Sequence, residues 1–457
     1  MELSAPSAPY TPGVPSRPAH WRWNFAVLGG DIAFFTLGLN ISSAQTILPL
    51  FVQHLTTSNE AVALIAAVRA LGIYAPQLLV ARSVERLRVA KPLILFATIF
   101  ERVPFLLLGL GALWLAGGAS SLLLGLFFVM VLVQQGAGGI TYPPWLDFVA
   151  RAIPSDWRGR FLGWWSGVGG LLGIGGAAVA ALLLARLPWP FNFALIFGLT
   201  FVAMIVSFVL LALGREPPRP LRRPDPVNPA VNPARLPALP HGADAPFAVP
   251  GALRPLAHAR ELLDLLRDDR GLRNLVIANA AAGVATMGGA LFAIAALRQG
   301  GLSTIEVGAE STVLVIASTA GNFVWGTVGD RFGHRSVLIG AALCSAAAAS
   351  VALLAHGVVA YSVVFLLLGL NLAALFLSQL TFISDLAPPA RRPTYIALTS
   401  VAYAPFAVGA PILAGWIADH WGYTPVFIPA IVAGVIAALI YHYFVPQPGA
   451  APSSPTP

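Results

Sequence analysis

Five ionisable side chains stand inside long apolar stretches of this chain: Asp31, Arg69, Glu101, Arg102 and Glu310. A charge near the centre of an apolar span costs roughly 2.5–3.5 kcal/mol to insert into a bilayer, so each of these residues is expected to have a purpose. Three kinds of chemistry are open to them: an ion pair within the protein, the binding of a polar solute, and the uptake and release of a proton.

The polar residues of the first apolar stretch recur at helical spacing. At about 100° per residue, Asp31, Gly38, Ser42, Gln45 and Pro49 lie on one face of a helix. A polar stripe along a lipid-buried helix must face a cavity or another helix. Asp31 is therefore predicted to face substrate or to carry a proton, and Gln45 is a candidate for the same cavity.

The other ionisable side chains admit structural as well as functional interpretations. Glu101 and Arg102 are neighbours on one helix and are not expected to face each other. Each then needs a partner on another helix, for which Arg69 and Asp31 are available. Such pairs would brace the bundle or form part of a site. Glu310 stands about one turn inside the end of its stretch, and it is either an unpaired protonatable group or a residue wetted near the interface.

Amides inside apolar stretches form a second group of candidates, represented by Gln135, Asn279 and Asn371. Amide groups suit the binding of a neutral or amphiphilic solute. They also form hydrogen bonds between membrane helices. The sequence leaves both interpretations open for each of the three.

Twelve apolar segments carry these residues. Each is long enough to cross a hydrocarbon core about 30 Å thick, and each must be helical because lipid offers no partner for an open N–H or C=O group. The sequence thus predicts an all-α integral membrane protein with twelve transmembrane helices in two six-helix halves. The predicted spans are 25–50, 61–81, 92–116, 121–146, 161–184, 190–214, 273–297, 306–328, 336–356, 359–384, 394–417 and 424–445.

The composition argues against a soluble enzyme. The chain is 57% hydrophobic and 10% charged, whereas soluble domains are roughly 25% charged. There is no Gly-x-x-x-x-Gly-Lys-Ser/Thr motif, so uphill transport would have to be secondary. Cys344 is the only cysteine, and there is no His-Glu-x-x-His motif. We expect no cofactor, no metal and no enzymatic activity.

The net charge of +8 is explained by membrane topology. Of the 27 Lys and Arg residues, all but Arg69, Arg102, Arg186 and Arg298 fall in connections on one side of the predicted membrane. The positive-inside rule places that side, with both termini, in the cytoplasm. We therefore expect a multi-pass protein of the plasma (inner) membrane, in contact with the lipid bilayer and without a nucleic-acid partner.

A long Pro-rich hydrophilic stretch bisects the chain and is typical of a linker. Its end alternates leucines with charged residues, which predicts an amphipathic helix on the membrane surface. The predicted parts are a disordered cytoplasmic tail over 1–24, a six-helix half over 25–214, a cytoplasmic linker over 215–271 with an interfacial helix at about 256–270, a second six-helix half over 272–445, and a disordered cytoplasmic tail over 446–457.

The connections of the two halves resemble each other. An acid followed by arginine stands after the second span, as Glu85 and Arg86, and after the eighth, as Asp330 and Arg331. Near the ends of spans four and ten stand two further acids, Asp147 and Asp385. A carboxylate at a helix end can face the positive N-terminus of a neighbouring helix, and arginine can pair with carboxylates.

The run Gly326-x-x-x-Asp330-Arg331-x-Gly333-His334-Arg335 resembles the signature loop of the major facilitator superfamily. The first-half copy is degenerate, with alanine and glutamate in place of glycine and aspartate. The resemblance implies parallel six-helix halves and a latch that holds the cytoplasmic side shut when the opposite face is open. The residues that it assigns to this gating loop are Glu85, Arg86, Gly326, Asp330, Arg331, Gly333 and Arg335, with Asp147 and Asp385 as partners.

The sequence and the resemblance together predict a secondary active transporter of a small solute, working by alternating access as a monomer. We expect coupling to protons through Asp31 or Glu310, and export is one of the two directions considered. An uncoupled facilitator is one alternative, in which the buried charges only brace the bundle. A non-transporting receptor on the same scaffold is another, with the linker over 215–271 as its contact surface.

Overall fold

The computed structural model describes residues 17–84, 89–154, 156–218, 267, 269–386 and 392–446. These residues form fourteen helices and no strand, which confirms the predicted all-α fold. The helices are α1 (Trp21–Ile41), α2 (Ile47–Leu55), α3 (Asn59–Val84), α4 (Lys91–Leu115), α5 (Ser120–Ala152), α6 (Arg158–Arg186), α7 (Phe191–Leu213), α8 (Arg270–Ala285), α9 (Leu291–Arg298), α10 (Thr304–Phe332), α11 (His334–Leu354), α12 (Gly357–Leu386), α13 (Arg392–Trp421) and α14 (Thr424–Tyr443).

The fourteen helices make twelve crossings in two halves of six. Nine helices of the described residues are individually long and apolar enough to cross a membrane. Helices α1 and α2 form the first crossing together, and α8 and α9 form the seventh in the same way. Both breaks therefore fall at equivalent places of the two halves, in agreement with an internal repeat.

The breaks overturn two predictions, because neither the span over 25–50 nor the span over 273–297 is one continuous helix. The Gly38 carbonyl accepts two hydrogen bonds from Ser42, one from its hydroxyl (3.3 Å) and one from its backbone N–H (3.3 Å). Pro49 has no N–H with which to satisfy the carbonyl of Gln45. Asp31 and Gln45 consequently do not share a single polar stripe.

Backbone-to-backbone contacts hold the helices of each half together. A Cβ added at Gly139 of α5 would lie 2.4 Å from the carbonyl oxygen of Ile73 in α3. A Cβ added at Gly369 of α12 would lie 2.4 Å from the carbonyl oxygen of Leu314 in α10. Small residues permit such close helix crossings in membranes. The same contact recurs in both halves, between the second and fourth and between the eighth and tenth crossings.

This close crossing predicts a large difference between two glycines of α5. We expect Gly139→Leu to destabilise the protein by about 1–3 kcal/mol or more, because the side chain would force α3 and α5 apart. Gly125→Leu is the control, since a Cβ there meets nothing within 4 Å. Thermal unfolding of the purified protein in detergent measures both. Equal melting temperatures for the two variants would refute the close contact.

Among the residues whose side chains are described, the largest core is shared by the two halves and lies on one side of the bundle. We call the side that carries Trp21 and Tyr443 the terminal side, and the opposite side the distal side. On the distal side, Phe51 of α2 and Ile294 of α9 belong to one continuous core. On the terminal side, Phe148 and Tyr441 belong to separate cores, one in each half. The halves are thus packed together at their distal ends.

Most of the linker, residues 1–16 of the first predicted tail and residues 447–457 of the second lie outside the described residues. So does the interfacial helix predicted at about 256–270, apart from its last few positions. The first tail was predicted to extend to residue 24, whereas α1 begins at Trp21. The described end of the linker begins the second half. The Asp269 carboxylate accepts a hydrogen bond from the Leu272 N–H (3.0 Å) and so caps α8.

Candidate transport cavity and gates

A cavity with two adjoining lobes lies between the halves. The lobes measure about 270 and 190 Å³ and share Ala44, Gln45, Arg69 and Leu372. The first lobe reaches toward α5 and α10, and the second toward the α8–α9 break and α13. Because both halves contribute to the walls, a rocking motion of the halves would open the cavity to either side.

Arg69 stands where the two lobes meet, and among the described residues that line them it is the one with a charge. Gln135 of α5 supports it. With its amide oriented toward the guanidinium, Gln135 Oε1 accepts hydrogen bonds from Nε (2.6 Å) and Nη2 (3.2 Å) of Arg69. A glycine makes room for this pair, since a Cβ at Gly72 would lie 2.7 Å from Cβ of Gln135.

Four of the predicted site residues line the cavity: Gln45, Arg69, Gln135 and Asn371. The Asn371 amide also donates to the Ala341 carbonyl (2.8 Å), so it joins α12 to α11. Sequence reasoning missed several lining residues, namely Asn40, Phe292, Ser318, Asn322 and Tyr403. An amide within an apolar span was the signal for Asn40 and Asn322, and it is the signal that singled out Asn371.

Asp31 belongs to a second polar cluster, buried within the first half and separate from the cavity lining. Its Oδ1 accepts a hydrogen bond from the Ser207 hydroxyl of α7 (2.6 Å). Its Oδ2 accepts from the Trp145 indole of α5 (3.1 Å). Asp31 is not among the residues that line the cavity, so no contact supports the prediction that it faces the solute. Its role in carrying a proton stays a prediction.

Glu101 and Arg102 complete this cluster, and here one expectation was wrong. Although they are adjacent on α4, Arg102 Nη1 lies 3.6 Å from Glu101 Oε2, because both side chains bend toward the inside of the half. Arg102 also donates to the Ser207 hydroxyl (3.1 Å). Glu101 accepts from the Thr141 hydroxyl. The cluster thus links the first, third, fourth and sixth crossings, and Arg69 is not part of it.

Two predicted candidates lie apart from both the cavity and this cluster. Glu310 is 2% exposed, and its Oε1 accepts from the Ser362 hydroxyl (2.7 Å), while Oε2 has no hydrogen-bond partner among the described residues. Asn279 accepts a hydrogen bond from the Tyr441 hydroxyl (2.6 Å) and so joins α8 to α14. This hydrogen bond between helices is one of the two interpretations that the sequence left open for Asn279.

An aspartate of the second half caps a helix of the first at the distal side. The Asp419 carboxylate accepts hydrogen bonds from the N–H groups of Asn59 (2.7 Å) and Glu60 (3.0 Å), at the start of α3. It also accepts from the Ser58 hydroxyl (2.9 Å). A carboxylate at a helix N-terminus satisfies open N–H groups and interacts favourably with the helix dipole. Here the cap joins the two halves.

Arg298 and Tyr423 reinforce this distal gate. From the end of α9, Arg298 donates to the Asn59 side chain (3.2 Å), to the Gln53 side chain (3.1 Å) and to the Thr57 carbonyl (2.6 Å). The Tyr423 hydroxyl donates to the Asn59 side chain (2.7 Å). Deeper in the bundle, Thr46 and Ser311 form a further hydrogen bond between the halves. We refer to these contacts and the Asp419 cap as the distal gate, which is closed in this structure.

The family model that matches this chain is the Major Facilitator Superfamily, over residues 31–297 and 275–457. The chain belongs to this superfamily. By its family it is a multi-pass membrane transporter of a solute. The predicted family resemblance is confirmed.

Two curated relatives match parts of this transporter. It is 26% identical to the cis,cis-muconate transport protein of Acinetobacter baylyi over 149 residues, which cover 33% of this chain and 36% of the relative. It is 36% identical to an uncharacterized MFS-type transporter, YfnC of Bacillus subtilis, over 132 residues, 28% of this chain and 32% of the relative. The matched region thus spans about a third of each relative.

Solved structures of other transporters share the fold over nearly the whole chain. A point mutant of the nucleoside transporter NupG superposes with a TM-score of 0.64 at 10% identity, covering 93% of this chain and 100% of that one. A D-xylose–proton symporter gives a TM-score of 0.62 at 16% identity, covering 94% and 98%. The predicted arrangement of twelve spans in two halves agrees with these neighbours.

The superfamily loop of this transporter sits at the terminal side. Gly333 has a φ of 82° in the turn between α10 and α11, a conformation that favours glycine. Asp330 and Arg331 are exposed, with no ion pair to another described residue. Arg335 donates to the Val445 carbonyl (3.1 Å), and a Cβ at Gly326 would meet nothing within 4 Å.

The remaining gating candidates are less fully described. Asp147 pairs with Arg151 one turn later in α5 (2.8 Å) and makes further contacts. Asp385 lies in α12, but its side chain is outside the described part of the chain. Glu85 and Arg86 also lie outside the described residues. Their assignment to a latch therefore stays a prediction.

The distal cap of this transporter predicts a measurable change in gating. We expect Asp419→Ala to favour opening of the distal side by about 1 kcal/mol, because the start of α3 loses its cap. The measurement is the labelling rate of a cysteine at Ser43, which is 4% exposed and lines the first lobe, in a Cys344→Ser background, by a membrane-impermeant maleimide added at the distal side. Asp269→Ala is the matched control, since Asp269 caps α8 within one half. Equal labelling rates in the two variants would remove the cap from the gate.

The hydrogen bonds of the Asp419 cap determine how closure of the distal gate depends on pH. Burial raises the pKa of Asp419, which lies beyond the predicted end of span eleven, but the hydrogen bonds from Glu60, Asn59 and Ser58 outweigh burial and hold it below its ordinary value of 3.8. A lowered pKa in the closed state means that the stabilisation is complete above the ordinary value and is lost as the pH falls through the lowered one. Distal opening with Asp419 intact should therefore be constant at neutral and mildly acidic pH, measured as labelling of the introduced cysteine relative to labelling of the unfolded protein at the same pH.

Proposed function

We propose that this protein is a proton-coupled secondary transporter that moves a small solute through the two-lobed cavity by alternating access. The observation that carries the proposal is a cavity walled by both halves, beneath a closed gate made of contacts between the halves. Opening on the distal side would break the Asp419 cap and the Arg298 contacts. Opening and closing on the terminal side would involve the exposed Asp330 and Arg331.

The direction of the substrate search follows from the comparisons. The Acinetobacter baylyi relative is named as a transporter of cis,cis-muconate, a small organic acid. Organic acids therefore come first among the solutes to be tested with this chain. The cavity volumes of about 270 and 190 Å³ fit a small molecule rather than a polymer.

Proton coupling rests on the buried cluster around Asp31. Its carboxylate is linked to Arg102 through the Ser207 hydroxyl, so a change in the charge of Asp31 would alter contacts of α4 and α7 together. The uncoupled facilitator is the second candidate. One observation favours it: Asp31 is hydrogen-bonded on both oxygens and does not line the cavity.

The membrane orientation is proposed on the distribution of arginine. The connections of the terminal side hold nearly all Lys and Arg residues, so we place that side and both termini in the cytoplasm of the plasma membrane. Maleimide labelling of a cysteine added at the chain end, in intact and in permeabilised cells, tests this. Labelling of this cysteine by a membrane-impermeant maleimide in intact cells would show the opposite orientation.

The test of the function is solute flux into liposomes that contain the purified protein. Radiolabelled organic acids and a neutral sugar form the panel, each with and without a pH gradient. Accumulation that a protonophore abolishes and that protein-free liposomes do not show supports proton coupling. Flux that only equilibrates and ignores the gradient supports the facilitator. Absence of flux for every panel member contradicts transport of a small solute from these classes.

A further inference from the structure

We infer that Arg69 binds the carboxylate of an organic-acid substrate, so that the cavity is an anion site; the inference rests on the proposed function and names its substrate class. Arg69 lies in the wall of both lobes, at the place where they meet. A solute that occupies either lobe is therefore in reach of the guanidinium.

The first reason is charge balance. Arg102, the other arginine buried in this half, is close to Glu101 and is connected to Asp31 through Ser207. Arg69 has no carboxylate of a described residue within ion-pair distance. A cation at membrane depth without a counter-charge is costly, and such residues commonly mark the pathway of a charged substrate. A substrate carboxylate would supply the missing charge.

The second reason is the geometry of the guanidinium. Gln135 accepts from Nε and Nη2 of Arg69, which fixes the plane of the group and occupies two of its five N–H donors. The remaining donors include both N–H groups of Nη1. Arginine binds carboxylates through paired, charge-assisted hydrogen bonds, and a preset plane lowers the entropic cost of forming them.

The third reason is the lining around Arg69. Apart from this charge, the lobes are lined by apolar side chains such as Phe292 and Leu368 and by neutral polar groups such as Asn40 and Asn322. One cation balances one carboxylate, whereas a phosphate dianion would call for more positive charge than the described lining holds. The site therefore suits a carboxylate on a small, mostly apolar body.

Melting temperatures with matched acids and amides test this inference. The probes are benzoate against benzamide, hexanoate against hexanamide, and inorganic phosphate. In the wild type we expect both acids to raise the melting temperature and both amides to leave it unchanged. In Arg69→Gln the apparent affinity for the acids should fall roughly tenfold or more, and Arg69→Lys should keep part of it.

Controls separate a binding defect from a folding defect. Arg186→Gln removes an exposed arginine from the end of α6 and should bind the acids as the wild type does. Each variant is first checked by gel filtration and by its melting temperature without probe. If Arg69→Gln does not fold, stabilisation by the acids and amides is compared between the wild type and the variants Arg69→Lys and Gln135→Leu, both of which retain a positive charge.

Three results would overturn the inference: acids that stabilise Arg69→Gln as strongly as the wild type, amides that act like acids, or no stabilisation of the wild type by any acid. If phosphate raised the melting temperature as much as benzoate does, the site would bind anions in general and would not be specific for carboxylates. Liposome flux separates this failure from failure of the transporter proposal. A neutral sugar carried equally by wild type and Arg69→Gln refutes the anion site alone, whereas Arg69-dependent binding without flux refutes transport alone.

Discussion

Arg102→Leu is expected to destabilise this transporter by about 3–5 kcal/mol, the cost of removing one partner from a buried charged cluster. Arg102 donates to the Thr98 and Met204 carbonyls and to the Ser207 hydroxyl, and it lies beside Glu101. Leucine would leave the Glu101 carboxylate without a nearby cation inside the bundle. We expect little folded protein at ordinary temperatures.

The matched control for this prediction is Arg186→Leu. Arg186 is exposed at the distal end of α6, so the same change of side chain should alter the melting temperature very little. Thermal unfolding in one detergent, together with the yield of monodisperse protein, measures both variants. A melting temperature of Arg102→Leu close to that of Arg186→Leu would show that the cluster does not brace the first half.

Asp31→Asn is expected to abolish accumulation driven by a pH gradient while leaving exchange across a membrane without a gradient nearly intact. Asparagine has the shape of aspartate and can still accept from Ser207 or Trp145, so the α1–α7 contact is largely kept. It cannot take up and release a proton. Liposomes loaded with the transported solute measure exchange, and empty liposomes with an imposed gradient measure accumulation.

Ser207→Ala is the companion variant. It removes the hydroxyl that links Asp31 to Arg102 but leaves the Asp31 carboxylate in place. We expect accumulation to weaken without being lost, since the proton carrier remains. Full gradient-driven accumulation by Asp31→Asn would remove this residue from the coupling mechanism and would favour the uncoupled facilitator.

The sequence was sufficient to predict the spans and the two halves, because the lipid environment imposes a strong and local rule on chain segments. It did not predict the break between α1 and α2, since hydropathy is nearly unaffected by Ser42 and its neighbours. That break invalidated the polar stripe, and with it the expectation that Asp31 and Gln45 share a face. The orientation of a span depends on its neighbours, which hydropathy does not reveal.

For the candidate site too, the sequence predicted which residues are polar at membrane depth but did not predict their partners. Residue type alone picked out Arg69, Gln135 and Asn371 as polar groups at membrane depth, and the structure places all three at the cavity. The partner of each buried charge was not predictable, because it depends on how far α4 is rotated toward α7. The Asp419 cap was also missed: it joins residues 360 positions apart in sequence, and neither end looks unusual alone.

The two sides of the bundle differ as alternating access requires. The distal side is closed by a cap, an arginine and a shared core. On the terminal side, the described residues form separate cores in the two halves, and Asp330 and Arg331 are exposed there. We therefore expect the superfamily loop to engage when the distal gate opens, so that one set of contacts forms as the other breaks.

The most direct test of this account locks the distal gate. Thr46 and Ser311 are fully buried, come from different halves, and form a hydrogen bond through their hydroxyl groups. Cysteines at both positions, in a Cys344→Ser background, would place their sulfur atoms where a disulfide can form. Each single cysteine serves as a control under the same oxidant.

Flux into liposomes is then measured before oxidation, after oxidation and after reduction. The account predicts that the disulfide stops flux, that reduction restores it, and that neither single-cysteine variant responds to the oxidant. Undiminished flux through fully crosslinked protein would contradict it, because the solute would then cross without separation of the two halves at the distal gate.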